Sequence, residues 1–449
     1  MVGLFQDSSV RYRALPMASQ NRTTTGNSLR VAGLFAGIGG IEIGLHDAGH
    51  QTNFLCEIDE EARAVLDAWY AKQGVRLDKD VPFERDVLKA AKKRLPEGID
   101  LVAGGFPCQD LSQAGKTAGI GGKRSGLAEA MLATVERVPK TKRPRWILIE
   151  NVSFMLRLDK GAAMTYLVGR LEELGYSWAY RLVDTRSFGL PQRRQRVILL
   201  AGREEDPREV LFADERGAAP SDEEEGKAIG FYWTEGTRGL GWAPNTIPTL
   251  KGGSGVGIPS PPAIWLTDGR FVTPNIVSAE RLQGFPVGHT EAARRVDARK
   301  GERARWRLLG NAVSVGVAKW VGRRLREPGT YRREHTPLTN GWPVAAFGRP
   351  GEDAQRVVDV GMFPLKRKLP DLEDFLHYRG ALQANLLSHR AMNGFCSRYV
   401  SDKCNLGFRP VFYEAMSKYL KEHDGRPLAD YVIPRPSAAR KRRRANVGR

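Results

Sequence analysis

Apolar and polar positions follow two rhythms along the first two hundred residues. Short apolar runs at Leu29–Phe35, Asn53–Ile58, Ile99–Ala103, Trp146–Glu150 and Arg196–Ala201 read as strands. Between them, apolar residues return at helical spacing. Gly40–Ala48 reads as a short helix with Ile41, Leu45 and Ala48 on one face, and Glu60–Gln73 turns Ala62, Val65, Leu66 and Trp69 inward. Leu127–Val138 and Ala162–Leu174 are further helices. Strands alternating with helices predict an α/β fold built on a doubly wound, mainly parallel sheet. After Gly202 the texture changes. Acidic residues (Glu204–Asp206, Asp222–Glu225) lead into Gly- and Trp-rich sequence and the run Pro259-Ser260-Pro261-Pro262. This predicts a small domain of loops and short strands over 203–277, inserted into a sheet domain that starts at 29–202. Helical texture at Ser278–Leu282 and Val313–Leu325 marks the return segment, 278–326. Asp371–Tyr378, Ala381–Tyr399 and Pro410–His423 read as helices of an extension, 327–436, with no assigned role. The polar residues 1–28 and the basic tail 437–449 read as disordered, and Met17 is an alternative start to Met1.

Charge and cysteine usage narrow the partners. The 449 residues carry a formal net charge of +19, which predicts a polyanionic partner, with nucleic acid the default. The four cysteines form no Cys-x-x-Cys pair and there are seven histidines, so no structural metal site is expected. No apolar run approaches the ~20 residues of a membrane span, and the N-terminus lacks a secretory apolar stretch. A cytoplasmic protein is expected.

Several runs carry candidate chemistry. Phe35-Ala36-Gly37-Ile38-Gly39-Gly40 follows a strand and opens a helix; glycines there let backbone approach a ligand, and the helix N-terminus offers free N–H groups. Tight strand-to-helix turns use glycine too, so the loop alone is a weak signal. Glu57 ends the next strand about 20 positions on, where an acid accepts hydrogen bonds from ribose hydroxyls. Cys108 lies in Gly105-Phe106-Pro107-Cys108-Gln109, just after a strand, which makes it a candidate nucleophile rather than a packed thiol. The loop Gln113–Gly126 holds five glycines with Lys116, Lys123 and Arg124, and suits a lid over an anionic substrate. Glu150-Asn151-Val152 ends another strand, where partial desolvation should raise the carboxyl pKa toward proton donation near neutrality. The plain alternative is a Glu150 paired to an arginine. In Gln192-Arg193-Arg194-Gln195-Arg196, Arg194 and Arg196 share a face and suit a base carbonyl and a phosphate. A solvated basic edge strand is the competing reading.

Together these runs resemble the DNA (cytosine-5)-methyltransferases of bacterial and phage type. The likeness is carried, in the family's order, by Phe-x-Gly-x-Gly-Gly at 35–40, Gly-Phe-Pro-Cys at 105–108 with Ser112 after it, Glu-Asn-Val at 150–152 and Gln-Arg-Arg-x-Arg at 192–196. It continues with Glu-Arg-Leu-Gln-Gly-Phe-Pro at 280–286 and Gly-Asn-Ala-Val at 310–313. The insertion falls where this family places its target recognition domain, and Thr249-Leu250 before Gly252-Gly253 looks like that domain's signature. The resemblance implies a catalytic set of Cys108, Glu150, Arg196 and Arg194. It implies S-adenosylmethionine, with no metal, held by Phe35, Gly37, Gly39, Gly40, Glu57, Ile58, Asp86, Val87, Phe106, Leu127, Asn311 and Val313. DNA contacts would fall on Ser112, Lys116, Lys123, Arg124, Thr249 and Leu250. The implied substrate is a cytosine flipped out of double-stranded DNA. The protein would be a monomer associated with the nucleoid, and any cognate restriction endonuclease would act separately. An RNA cytosine-5 methyltransferase of the same fold and a catalytically inactive DNA-binding decoy are the rival readings. One departure stands out: the family often carries an acid two residues before Phe35, and here that residue is Gly33. Backbone carbonyls would then hold the cofactor's amino group.

Overall fold

The computed structural model describes residues 28–107, 126–215, 217, 219–220, 223–234, 239–253, 260–299, 301–352, 355–399 and 409–424. Cys108, Ser112, Lys116, Lys123 and Arg124 lie outside the described residues, as do the two terminal stretches expected to be disordered.

Among the described residues the main sheet has ten strands. Its site-bearing half is parallel: β1 (Arg30–Leu34) lies between β2 (Gln51–Cys56) and β4 (Leu101–Gly104), with β3 (Phe83–Glu84) outside β2 and β5 (Trp146–Val152) outside β4. Residues alternate faces along each strand. Ala32, Leu34, Val102, Ile147 and Ile149 pack into one core, Val31, Leu101, Ala103, Trp146 and Leu148 into another. Helices cover both faces. α1 (Gly40–Asp47), α2 (Glu60–Lys72), α4 (Leu127–Glu136) and α5 (Ala162–Glu173) fall close to the predicted positions, and the short α3 (Val87–Ala90) is an addition to them.

The other half of the sheet is antiparallel. β6 (Ser177–Asp184) and β8 (Gln195–Gly202) follow β5, with the short β7 (Gln192–Arg193) between them in sequence. The 203–277 span divides. Its first helix, α6 (Pro207–Leu211), buries Val210 and Leu211 on the main sheet, because these apolar side chains continue that core. A second sheet of β10 (Ala243–Pro244), β9 (Ile229–Phe231), β12 (Ala263–Trp265), β13 (Phe271–Pro274) and, from the extension, a strand near residue 385 forms the small domain. β11 (Ile247–Pro248) instead pairs in parallel with β7, joining the small domain to the main one. The return segment supplies α7 (Ile276–Leu282), α8 (Gly301–Asn311) and α9 (Val315–Arg326).

The extension has the expected helices α10 (Leu372–Leu376), α11 (His389–Tyr399) and α12 (Pro410–Asp424), but it is not helical throughout. β14 (His335–Pro337), β15 (Ala345–Gly348) and β16 (Arg356–Val358) extend the main sheet beyond β6. β17 (His377–Tyr378) and β18 (Ala381–Leu382) form a hairpin, and β19 (Ala384–Leu386) pairs with β13. Edge strands carry unpaired N–H and C=O groups, and this segment satisfies those of β6 and β13.

Candidate active site

β1 and β4 are neighbours whose chains continue to opposite sides of the sheet. Their carboxyl ends therefore leave a crevice, the usual ligand position in open α/β sheets. Phe35 leaves β1 with φ 54, Gly37 has φ 56 and Gly39 has φ 85, a left-handed turn that brings the chain into α1. A side chain on Gly40 would collide with the Val313 carbonyl, so the glycine lets the return segment press against the loop. Glu57 organises the loop. Its Oε2 accepts from the Gly37 amide at 2.7 Å and its Oε1 from the Asp59 amide at 2.8 Å. Burial pushes the Glu57 carboxyl up, and these amide bonds oppose the shift. Asp86 caps α3 by accepting from the Leu88 amide. His289, stacked on Phe285, donates from Nε2 to the Ile38 carbonyl at 2.7 Å; burial takes its pKa down to about 4, so the ring stays neutral.

One cavity of about 510 Å³ joins two sets of residues. Phe35, Gly37, Gly40, Glu57, Ile58, Asp86, Val87, Phe106, Leu127, Asn311 and Val313, all expected at the cofactor, line it. So do Glu150, Arg194 and Arg196, expected at the base. Gly39 does not line it and serves as the N-cap of α1. The volume lies in the roughly 300–1,000 Å³ range of small-molecule sites. The residues fit a nucleoside cofactor. Ile58, 70% exposed, and Phe35 offer apolar surface to a purine, and Glu57 presents a carboxylate anchored by backbone.

Register explains the base-side pair. β5 and β8 run antiparallel with Val152 opposite Arg196, so the Arg196 side chain reaches back to Glu150. Arg196 Nε stands 2.9 Å from Glu150 Oε1 without hydrogen-bond alignment, and both side chains are 11% exposed. Burial raises the Glu150 pKa, while Arg196 and Arg194 oppose it. Asn151 donates from its side-chain nitrogen to the Phe106 carbonyl at 3.1 Å, which fixes the segment leading to Cys108 against β5.

Two expected assignments change. Arg194 is 1% exposed and donates to the carbonyls of Leu250 (3.0 Å), Gly310 (3.1 Å) and Ala312 (2.7 Å). With its two terminal nitrogens committed to backbone, it is a positioning residue. Leu250, expected at the DNA, is 1% exposed in the core, and its amide donates to Gln192 Oε1 at 2.8 Å. The Thr249 hydroxyl donates to the Arg193 carbonyl. The Leu250 side chain and the Thr249 hydroxyl thus dock the small domain on the main one, with Thr249 remaining partly exposed.

Sequence reading missed two acid–base features. Glu42 projects from α1 into the space that a side chain on Gly33 would fill. It is fully buried, and neither carboxyl oxygen has a hydrogen-bond partner among the described residues. Burial takes its pKa from the usual 4.5 to about 8. An acid inside the apolar run Gly40–Leu45 was the available signal. Arg307 also lines the cavity, paired to Asp59 at 2.5 Å and Glu61 at 3.4 Å; it stands within α8, outside any motif.

The glycine loop and the buried Glu–Arg pair thus open on one crevice at the carboxyl ends of the parallel strands, the arrangement of an α/β enzyme site. Residues 29–246 match the family model described as C-5 cytosine-specific DNA methylase. Type II methyltransferase M2.BsuMI of Bacillus subtilis (strain 168) is 45% identical over 399 residues, 87% of this chain and 98% of that protein. Type II methyltransferase M.NaeI of Lentzea aerocolonigenes is 28% identical over 382 residues, 78% of this chain and 83% of its own. Type II methyltransferase M.BsuFI of Bacillus subtilis is 34% identical over 181 residues, 40% of each chain. The chain belongs to the C-5 cytosine-specific DNA methylases. Among the described residues, no helix is long and apolar enough to cross a membrane.

Proposed function

We propose that this methylase acts on a cytosine flipped from duplex DNA, through a covalent bond between the Cys108 sulfur and C6 of the ring. The observation that carries the reading is the single cavity shared by the Glu150–Arg196 pair and the Phe35–Gly40 loop. Aromatic C5 is a poor nucleophile. Addition of a thiolate at C6 breaks the aromaticity and delivers electron density to C5. Glu150 is the acid: burial shifts its carboxyl toward the protonated form against the pull of Arg196 and Arg194, and it donates a proton to N3 as the thiolate adds. Arg196 donates to O2 and, paired to Glu150, fixes the base edge. Arg194 holds the segments around this pair. Once C5 is methylated its proton passes to a solvent base, the C5–H electron pair forms the C5–C6 double bond, the C6–sulfur bond breaks with its electron pair returning to Cys108, and the N3 proton returns to Glu150.

S-adenosylmethionine, when bound, supplies an electrophilic methyl group. Phe35 and Ile58 would hold its adenine, Glu57 its ribose, Asp86 the adenine edge, and the Gly37–Gly40 backbone its amino-acid end. The likeness to Type II methyltransferases supports a place beside a restriction endonuclease acting separately, and the net charge of +19 supports direct DNA binding.

Bisulfite sequencing of DNA from cells expressing the protein, alongside transfer of labelled methyl to purified DNA and to tRNA, tests the reading. Converted-resistant cytosines in one short duplex sequence are expected. Label on tRNA alone, or no label, would overturn it.

A further inference from the structure

We infer that Arg307 couples docking of the small domain to the grip on the cofactor, as a positioning residue at the junction of the two. The inference rests on the cofactor assignment proposed above. Helix α8 ends in Gly310-Asn311 and is held on two sides.

On one side it meets the segment Leu250–Gly252 of the small domain. A side chain on Gly310 would collide with the backbone of Lys251 and Gly252. One on Gly252 would lie 3.1 Å from the Arg307 carbonyl and 2.9 Å from Asn311 Oδ1. The backbones therefore touch, with no side chain between them to absorb a shift. Arg194 ties the same parts together through the Leu250, Gly310 and Ala312 carbonyls.

On the other side, Arg307 leaves α8 toward the cavity. Its Nη1 donates to Asp59 Oδ2 at 2.5 Å, and its Nη2 reaches Glu61 Oε2 at 3.4 Å. Asp59 is the N-cap of α2, accepting from the Ala62 amide, and the Asp59 amide donates to Glu57 Oε1. Burial would push the Asp59 carboxyl up, but Arg307 and the Ala62 amide hold it below its usual value. The links from Gly252 to Glu57 are thus a backbone contact, a helix, an ion pair and a cap. A displacement of the 250–252 segment on DNA binding would carry α8 with it and change how Arg307 meets Asp59, and so the set of Glu57.

An ion pair this exposed (Arg307 40%, Asp59 24%) contributes little to stability by itself. Its effect would appear in the dependence of one binding event on the other, which by linkage is the same in both directions.

The test is a binding cycle by calorimetry. It uses the full chain, S-adenosylhomocysteine, and a duplex oligonucleotide carrying the sequence that bisulfite sequencing identifies. Wild type is expected to bind S-adenosylhomocysteine about tenfold more tightly with the duplex present, within the ordinary range of coupling between sites. In R307M this ratio falls to within about twofold of one, while melting temperature and duplex affinity without cofactor stay near wild type. R307K restores part of the ratio, since an ammonium group can serve Asp59 but not both acids at once. D59N, which keeps a capping side chain and loses the charge, lowers the ratio as R307M does. If R307M weakens S-adenosylhomocysteine equally with and without duplex, Arg307 is an ordinary cofactor contact and the inference is overturned. A wild-type ratio of one overturns it too. Failure of wild type to bind S-adenosylhomocysteine at all would instead overturn the cofactor assignment on which the inference stands.

Discussion

Glu150 and Glu42 are both buried acids, and the difference between them is what lies within reach. Glu150 has Arg196 at 2.9 Å and a cavity in front of it, and in the proposed reaction its raised pKa serves proton transfer. E150Q should keep cofactor binding and lose methyl transfer by roughly 10²- to 10⁴-fold, the usual contribution of a positioned acid, as read by single-turnover label transfer. In wild type the same rate should decline as pH rises through the Glu150 pKa, because the proton to be donated is lost. Glu42 has no partner for either oxygen among the described residues and does not line the cavity. Its effect should be on stability. A native pKa of about 8 against a usual 4.5 means that the folded protein binds this proton more tightly than the unfolded chain. The stability it contributes is complete below the unfolded pKa and is lost as pH rises through the native one. Melting temperatures taken from about pH 5 to about pH 8 should fall more in wild type than in E42Q. Parallel curves would show that Glu42 does not titrate in that window. Glu57 and Tyr70 are the ionisable groups facing it electrostatically, and Glu57 shares its sign.

At the scale of elements, the strands that carry the site were legible because they are short, nearly continuous apolar runs, buried on both faces, that end in marked loops. Two kinds of element were not. β6 contains Arg181, which interrupts the apolar pattern, yet Arg181 is 0% exposed and donates to the carbonyls of Leu211 and Gly361. A buried arginine satisfied by backbone cannot be told from a surface one by its place in a run. β14–β16 are three or four residues long, too short to show a period. The Gln192–Arg196 run was legible as chemistry but only half understood. Arg196 faces Glu150, whereas Gln192 and Arg194 fasten distant backbone. Gln192 donates to the Leu282 carbonyl and accepts from the Leu250 amide. Those partners lie 58 or more residues away, so no local pattern announces them. The junction gives a sharp test. G310A introduces a methyl group into backbone contact with Gly252. It should cost roughly 1–3 kcal/mol of stability by overpacking, measured by denaturant unfolding, and more activity than that loss explains.

For the whole molecule, the segment after Arg326 belongs to both sheets. β15 pairs with β6, β19 with β13, and α11 and α12 bury Phe395, Phe412 and Met416 against Phe231 and Phe271. The likeness to M2.BsuMI covers 87% of the chain, more than residues 1–326 can supply, so it reaches into this segment. Truncation after Arg326 should leave two open sheet edges and a bare apolar face, and size-exclusion chromatography should find aggregate rather than monodisperse protein. The proposed reaction needs the Cys108 thiol and a methyl donor to reach one base at the cavity lined by Phe35, Glu150 and Arg196. Its most direct measurement is covalent trapping on duplex DNA bearing 5-fluorocytosine at the methylated position, read by denaturing gel and by mass spectrometry of the linked peptide. An adduct through Cys108 is expected that survives denaturation only when S-adenosylmethionine is present and is missing from C108A. An adduct at another residue, or methylation that persists in C108A, would contradict it.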